Sequence, residues 1–363
     1  VSEKIILYGA FGRHNFGDML FPHIVGNLLK DVNIPIFVCD IFSRDMRQYQ
    51  GHKVLSITDF FDSDETVHLI HVGGQVGHVK KESALKCFNP NSSSSKHNLE
   101  LSKLNGKNIK FPYLLSKRDF KNPGLFVANS IGGVTEDSVV NLMDFDFLSF
   151  RDKSSLDILI NNKIDHGLHI PDCAVLTKHF FDNLISKKRT QSFGSKYLAV
   201  QINSAVLASN ASCIFDQIIL ISKEYNLDVV FFMAGSAPFH DSRAQYIKCF
   251  KGKLPKRLHF FNSLNVWDIC NLISESALTI STSLHVRILS SIYNKPRITI
   301  NPSLKHNGFI DDWDNIKSKS NIKNLFEAAS QTLLDFNHRN DQMHSLHLEQ
   351  TYLDNCFLNI FLR

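Results

Sequence analysis

Short, continuously apolar runs alternate along this chain with stretches whose apolar residues recur every three or four positions. The runs at 4–10 (KIILYGA), 34–41 (IPIFVCDI), 67–72 (VHLIHV), 125–129 and 145–150 predict strands, and 20–29 predicts a helix after a glycine-rich loop. A second series follows, with strands over 197–202, 228–233 (DVVFFM), 257–261, 277–282 and 297–300 and helices over 214–225, 266–275 and 285–293. Strands without polar alternation are buried on both faces, and the intervening helices supply the cover, so each series predicts a parallel sheet. Between the two series the pattern near 178–196 becomes polar, contains KKRTQSFGSK and reads as a crossing between domains, while 89–95 (NPNSSSS) reads as an exposed loop. From 322 onward the pattern is helical and ends in CFLNIFL, which is too apolar to be left in solvent.

The expected fold is therefore α/β, two doubly wound Rossmann-like domains facing across a cleft in a GT-B-like arrangement. The domains are expected at 1–177 and 196–325, with 326–363 a helical tail packing back on the body. A length of 363 residues suits two cores better than one. The 40 basic and 35 acidic residues are interspersed and leave a net charge of +5. That argues against a nucleic-acid partner and suits a small anion or an anionic membrane surface. Seven cysteines, at 39, 87, 173, 213, 249, 270 and 356, are odd in number and form no C-x-x-C pair, which points to a reducing compartment. The opening VSEKIILYGAF enters a strand without a basic-then-apolar leader, and no stretch approaches 18 apolar residues, so a cytosolic chain that does not span a membrane is expected.

Ligands of open parallel sheets bind where strands end and helices begin, which selects four loops. In 9–18 (GAFGRHNFGD) the glycines let the backbone approach a ligand and the next helix offers N–H groups to an anion. Against a ligand role, Asn15 fits a residue that folds the loop and Asp18 one that caps the helix, the commoner use of such residues, and the spacing is not G-x-G-x-x-G. In 72–77 (VGGQVG), Gly73 and Gly74 fit either a tight turn or close ligand contact. In 149–155 (SFRDKSS), Arg151 precedes a helix that Asp152 or Ser154 can cap. Its guanidinium can clamp a phosphate or carboxylate, or form a surface pair with an Asp. In 277–296 a strand passes through Ser281, Thr282 and Ser283 into a helix, where His285 shares a face with Ile288, Leu289 and Ile292. Arg287 falls with Ser290, Ser291 and Asn294 on an opposite, polar face. His285 is thus either an anion contact in a first helical turn or a buried histidine satisfied by a carbonyl. The D-x-D triplets at 62–64 and 144–146 are common by chance, and His68 and His71 point to opposite faces of one strand, so no metal site is expected.

Taken in order, GAFGRHNFGD, the strand ending in Gly73-Gly74, SFRDKSS followed by Pro171-Asp172, and the strand–Leu284-His285–helix element resemble the polysaccharide pyruvyl transferase family. The resemblance spans nearly the whole chain. It implies transfer of pyruvate from phosphoenolpyruvate onto two hydroxyls of a sugar in a bacterial surface polysaccharide or its precursor, with a cyclic ketal formed and phosphate released. It implies His285 as acid or phosphate contact, Arg151 as anion clamp, and Asn15 and Asp18 on the acceptor side, with Asp18 a base. Gly17, Gly73, Gly74, Ser283 and Leu284 would line the substrates. No cofactor beyond the phosphoenolpyruvate donor is implied. The implied partner is a saccharide acceptor, lipid-linked or not, met in the cytoplasm or at the inner face of a membrane.

Many members read Arg-Leu-His where this chain reads Ser283-Leu284-His285. Arg287 points away from His285 by helical phase, so Arg13, Lys80, Lys305 and His306, in loops after strands, are the expected replacements. Two other expectations compete: a GT-B glycosyltransferase with a nucleotide pocket near 234–239, and a catalytically degenerate glycan- or anion-binding protein of the same fold.

Overall fold

A computed structural model describes residues 2–88, 95–187, 193, 196–238, 240–249, 256–337 and 342–362. Most of the predicted loop at 89–95 and of KKRTQSFGSK lies outside the described residues, and the first part of the crossing predicted near 178–196 is helical instead, within Thr177–Ser186. The chain divides into two compact units, Val1–Leu176 with Gln350–Arg363, and Thr177–Glu349. The second unit thus begins at Thr177 rather than 196, and the tail from 326 is shared between the units rather than forming one piece.

The first unit holds strands β1 (Glu3–Tyr8), β2 (Ile36–Asp40), β3 (Arg44–Asp45), β4 (Lys53–Ser56), β5 (Thr66–Val72), β6 (Pro123–Ile131), β7 (Phe147–Phe150) and β8 (Gly167–His169). They form one sheet in the order β3-β4-β2-β1-β5-β6-β7-β8, parallel except for the β3–β4 pair. Its helices are α1 (Phe16–Leu28), α2 (Lys81–Lys86), α3 (Ser95–Gly106) and α4 (Lys153–Asn161). Ile5, Ile6, Leu7 and Tyr8 of β1 are all buried, as a strand paired on both sides and covered on both faces must be. From β1 the chain first builds toward β2 and later returns to add β5 on the other side. The switch point of the sheet therefore lies between the ends of β1 and β5, where Gly9 and Gly73 begin their loops. Helix α1 starts at Phe16, four residues ahead of the predicted 20, because Asn15 caps it. Tyr352 and Phe357, from the closing stretch of the chain, are fully buried in this unit, and the Tyr352 hydroxyl donates to Asn129 Oδ1 (2.7 Å).

The second unit holds β9 (Tyr197–Gln201), β10 (Asp228–Phe231), β11 (Leu258–Phe260), β12 (Leu278–Ser281), β13 (Arg297–Ile300) and β14 (Lys319–Ser320), all parallel, in the order β11-β10-β9-β12-β13-β14. Its helices are α5 (Thr177–Ser186), α6 (Ser204–Glu224), α7 (Arg243–Cys249), α8 (Val266–Ser274), α9 (Leu284–Ile292), α10 (Leu304–Asp312) and α11 (Leu325–Asn337); α12 (Gln342–Asp354) runs through the division at 349. Here the switch point lies between β9 and β12. Helix α6 is the apolar element that bears on the expectation of no membrane span. Its 21 residues include an 18-residue window of mean hydropathy 1.5, enough to cross a membrane by length and composition alone. Leu207, Ile214, Phe215, Ile218 and Ile221 of α6 nevertheless pack into the core of the unit.

Candidate functional site

In the first unit the loop after β1 is built around a buried carboxylate that the sequence did not single out. Asp40, the last residue of β2, accepts from Gly12 N–H (2.7 Å), Ile41 N–H (2.6 Å) and the Tyr113 hydroxyl (2.9 Å). Burial pushes its carboxyl up to about 6, against the pull of those donors and of Arg13. An acidic residue at the end of β2 is where a dinucleotide fold would bind a ribose. Here the carboxylate is spent on fixing the glycine loop instead. The signal was present, an Asp closing the second strand, but only the three-dimensional contact with Gly12 gives it a task.

Asn15 is the N-cap of α1, its Oδ1 accepting Gly17 N–H (3.2 Å), and Asn15 Nδ2 donates to Asp18 Oδ2 (3.0 Å). Asp18 is therefore in the first turn and does not cap the helix. Arg13 lies 3.6 Å from Asp18, and its Nε is buried with no hydrogen-bond partner among the described residues. Burial disfavours the Arg13 charge, but Tyr113, Asp18 and Asp40 around it outweigh that and hold its proton more tightly than usual. Asn15, Gly17, Asp18 and Arg13 thus form one polar cluster at the start of α1.

The loop after β5 turns sharply at Gly73 (φ 58°) and Gly74 (φ 82°), conformations that L side chains rarely adopt. Gly73 N–H donates to Asn129 O (2.8 Å) and Gly132 N–H to Gly74 O (2.9 Å), which ties this loop to the end of β6. Beside it, Arg151 is ion-paired with Asp172 and donates to Gln75 Oε1 (3.2 Å). The Arg–Asp pair is buried, with Arg151 6% and Asp172 0% exposed, and so is not the surface pair expected as its alternative role. Asp152, not Ser154, caps α4, through Oδ1 to Ser155 N–H (2.9 Å).

In the second unit Ser283 takes the N-cap position of α9 and makes no side-chain cap bond. Leu284 and the buried His285 occupy the first turn, at the carboxyl end of β12 and beside the switch point. The expected polar face of α9 is not solvated. Arg287 is 1% exposed and donates to Asp314 Oδ2 (2.6 Å), Thr299 Oγ1 (3.0 Å), Ser318 O (2.8 Å) and Ile316 O. Its guanidinium is engaged in bonds that tie α9 to Thr299 and to the 314–318 stretch. Lys305 and His306 do not lie in a loop. Ser303 caps α10, and His306 closes a capping box on it through Nδ1, with Ser303 Oγ 2.8 Å away. Lys305 lies in the same first turn, after β13. Lys80, by contrast, is in extended backbone just before α2.

The polysaccharide pyruvyl transferase family model matches residues 15–303. No curated protein matches the sequence. Among solved structures, a putative UDP-N-acetylglucosamine 2-epimerase from Listeria monocytogenes is similar with a TM-score of 0.57 at 13% identity, covering 100% of this chain and 95% of that one. The UDP-GlcNAc 2-epimerase of Methanocaldococcus jannaschii, in complex with UDP-GlcNAc and UDP, gives 0.57 at 13% over 96% and 99%. The Rickettsia bellii UDP-N-acetylglucosamine 2-epimerase gives 0.58 at 10% over 100% and 98%. At these identities the likeness concerns the fold, which is GT-B-like α/β.

Proposed function

The chain belongs to the polysaccharide pyruvyl transferase family, and from that premise we propose that it transfers pyruvate from phosphoenolpyruvate to two hydroxyls of a saccharide. The observation that carries the reading is His285, buried in the first turn of α9 at the carboxyl end of β12. A helix N-terminus offers backbone N–H groups to the donor's phosphate or carboxylate, and an imidazole there can deliver a proton. In the reaction one sugar hydroxyl adds to the central carbon of the donor while the methylene carbon gains a proton and becomes a methyl group. The carbon–oxygen bond to phosphate breaks, and the second hydroxyl closes the ketal. One of the two hydroxyl protons balances the new methyl group and the other leaves on phosphate. No separate cofactor enters this balance.

Asp18, Asn15, Gly17 and Arg13 are assigned to the acceptor, with Asp18 as base, and Gly73, Gly74 and Gln75 to the adjoining wall. Arg151 shares its charge with Asp172, so we assign it to fixing Gln75 rather than to carrying the donor's charge alone. Ser283, Leu284, Lys305 and His306 are assigned to the donor side of the second unit. The acceptor is proposed to be a surface-polysaccharide precursor met in the cytoplasm or at a membrane face.

A nucleotide-sugar reading has the fold of the UDP-GlcNAc epimerases in its favour. Against it, Ala234 and Gly235, in the loop where a nucleotide pocket was expected, spend their N–H groups on Asp241 (2.7 and 3.4 Å). Phe239 of that loop lies outside the described residues. Calorimetry with phosphoenolpyruvate and with a set of UDP-sugars separates the two, and heat with the nucleotides alone sinks the pyruvyl reading. With the matching glycan, phosphate release is expected to fall at least about 10²-fold in His285→Ala. An unchanged rate removes His285 from the reaction, and donor binding without turnover on any acceptor favours a degenerate binding protein.

A further inference from the structure

In the second unit the ends of three strands are joined by a line of hydrogen bonds that has one direction. Asp241, buried in the loop after β10, accepts Ala234 N–H (2.7 Å) and Gly235 N–H (3.4 Å) on Oδ2 and Gln201 Nε2 (2.8 Å) on Oδ1. Gln201 is the last residue of β9, and its Oε1 accepts both the N–H (3.1 Å) and the hydroxyl (3.4 Å) of Thr282. The Thr282 hydroxyl oxygen then accepts Asn203 N–H (2.9 Å), and Asn203 caps α6. Thr282 directly precedes Ser283, the N-cap of α9, and the Gln201–Thr282 link spans the switch point between β9 and β12.

We propose that Asp241 and Gln201 are positioning residues: they hold Thr282, and through it the Ser283-Leu284-His285 entry to α9, in the geometry that pyruvyl transfer requires. This rests on the pyruvyl-transfer reading. The direction of the line is what makes it a device. A carboxylate only accepts, so Gln201 must present its NH2 group to Asp241 and its carbonyl to Thr282. If the carboxyl takes up a proton and offers an O–H, the Gln201 amide is drawn to turn over. Its NH2 group then faces the Thr282 N–H and hydroxyl, the hydroxyl loses its acceptor, and the N–H keeps only its second bond, to the Gln201 main-chain carbonyl (3.1 Å).

The groups facing Asp241 leave its charge to burial and to these bonds. On its own loop the His240 ring meets Pro238 O (3.1 Å). On α7, Arg243 lies over the Phe260 ring (5.2 Å) and the Tyr246 hydroxyl serves Ile202. From the strand ends come Gln201, Thr282 and backbone N–H groups, all uncharged. Burial pushes the carboxyl up to about 7 against the pull of Ala234, Gln201 and Gly235. Above that pH the carboxylate keeps the line intact, and below it the acid loosens Thr282.

The test uses the full chain and two independent readouts. Hydrogen exchange at the Thr282 amide and titration of the His285 imidazole, both by NMR, need no substrate. Phosphate release from phosphoenolpyruvate across pH 5.5–8.5 is followed in parallel. In Asp241→Asn, exchange at Thr282 is expected to quicken severalfold, up to about tenfold, at pH 8, because the amide loses the Gln201 side chain and keeps the Gln201 main-chain carbonyl. The His285 titration is expected to shift, and the acid limb of turnover near pH 7 to disappear with the KM for phosphoenolpyruvate changed less than kcat. Gln201→Leu and Thr282→Val interrupt the same line and report on it if Asp241→Asn does not fold. Unchanged Thr282 exchange and His285 titration in the folded variants overturn the proposal. Wild-type protein that never turns over phosphoenolpyruvate overturns the pyruvyl reading instead, and the exchange data still decide whether the line holds α9.

Discussion

Arg287, Arg297 and Asp314 show how far a residue's role depends on partners distant in sequence. Asp314 accepts from Arg287 Nε (2.6 Å) and from Arg297 Nε (3.1 Å), and all three side chains are nearly inaccessible. Burial alone would raise the Asp314 carboxyl, but the two guanidiniums outweigh it and hold it down at about 2; burial and the neighbouring Arg297 lower Arg287 to about 10. Arg287→Met should cost about 3 kcal/mol in urea unfolding at neutral pH, the lower end for a broken buried pair, because Arg297 still neutralises Asp314. With its carboxyl depressed when folded, Asp314 contributes stability that is present above the ordinary carboxylate range and is lost as the pH falls through about 2. A variant as stable as the wild type would mean that Arg297 carries the pair by itself. The helical phase of Arg287 was legible in the sequence, but its burial was not, since Asp314 and Thr299 reach it from outside its own helix. Asp40 and Asp241 escaped notice for the same reason. Each is a lone acidic residue, and the donors that define it, Gly12, Tyr113 and Gln201, lie elsewhere in the chain.

Among the elements, the turns and caps at strand ends were read best where a residue type has one physical use. The glycines at 73 and 74 fitted either a tight turn or close ligand contact, and both have the positive φ that a tight turn uses. A Cβ on Gly73 would also lie 2.6 Å from the Phe21 ring of α1. Gly73→Ala should therefore lower stability by about 2–4 kcal/mol, combining the left-handed backbone with overpacking. Gly26, inside α1 with nothing within 4 Å of its Cβ position, gives the opposite sign: Gly26→Ala should add about 0.5–1 kcal/mol. Thermal melts of the two variants test both, and a Gly73→Ala protein with the wild-type Tm would mean that Phe21 and the turn can yield. The start of α10 was misread because Lys305 and His306 follow a strand, whereas Ser303, three residues before His306, already carried the capping signal. The start of α1 was misplaced because its glycines resemble loop, yet a single Asn15 side chain is enough to begin the helix four residues earlier.

For the whole molecule, the two α/β series and the strand–helix alternation were legible because continuous apolar runs admit few other folds. The division of the chain was not, because composition does not reveal which core a closing segment joins. Residues 350–363 belong to the first unit, although they follow the second in sequence. Deleting them removes the fully buried Tyr352 and Phe357 and leaves Asn129 without the Tyr352 hydroxyl. The loss should fall on the first unit: hydrogen exchange in β5, β6 and β7 should quicken well beyond tenfold, in keeping with the 3–5 kcal/mol typical of one large aromatic deletion, while β9 to β13 stay protected. Equal loss in both units would contradict the division.

The Tyr352–Asn129 contact also orders events during synthesis. A ribosome adding about 5–20 residues per second emits the first 176 residues, then the whole of Thr177–Glu349, and only then the segment that carries Tyr352. The first sheet must wait, on the order of ten to thirty seconds at that rate, with the places of Tyr352 and Phe357 unfilled, while the second unit emerges as one uninterrupted stretch able to fold at once. The unit made first is therefore the one finished last, and a nascent chain stalled before residue 350 carries an incomplete core for chaperones to shield.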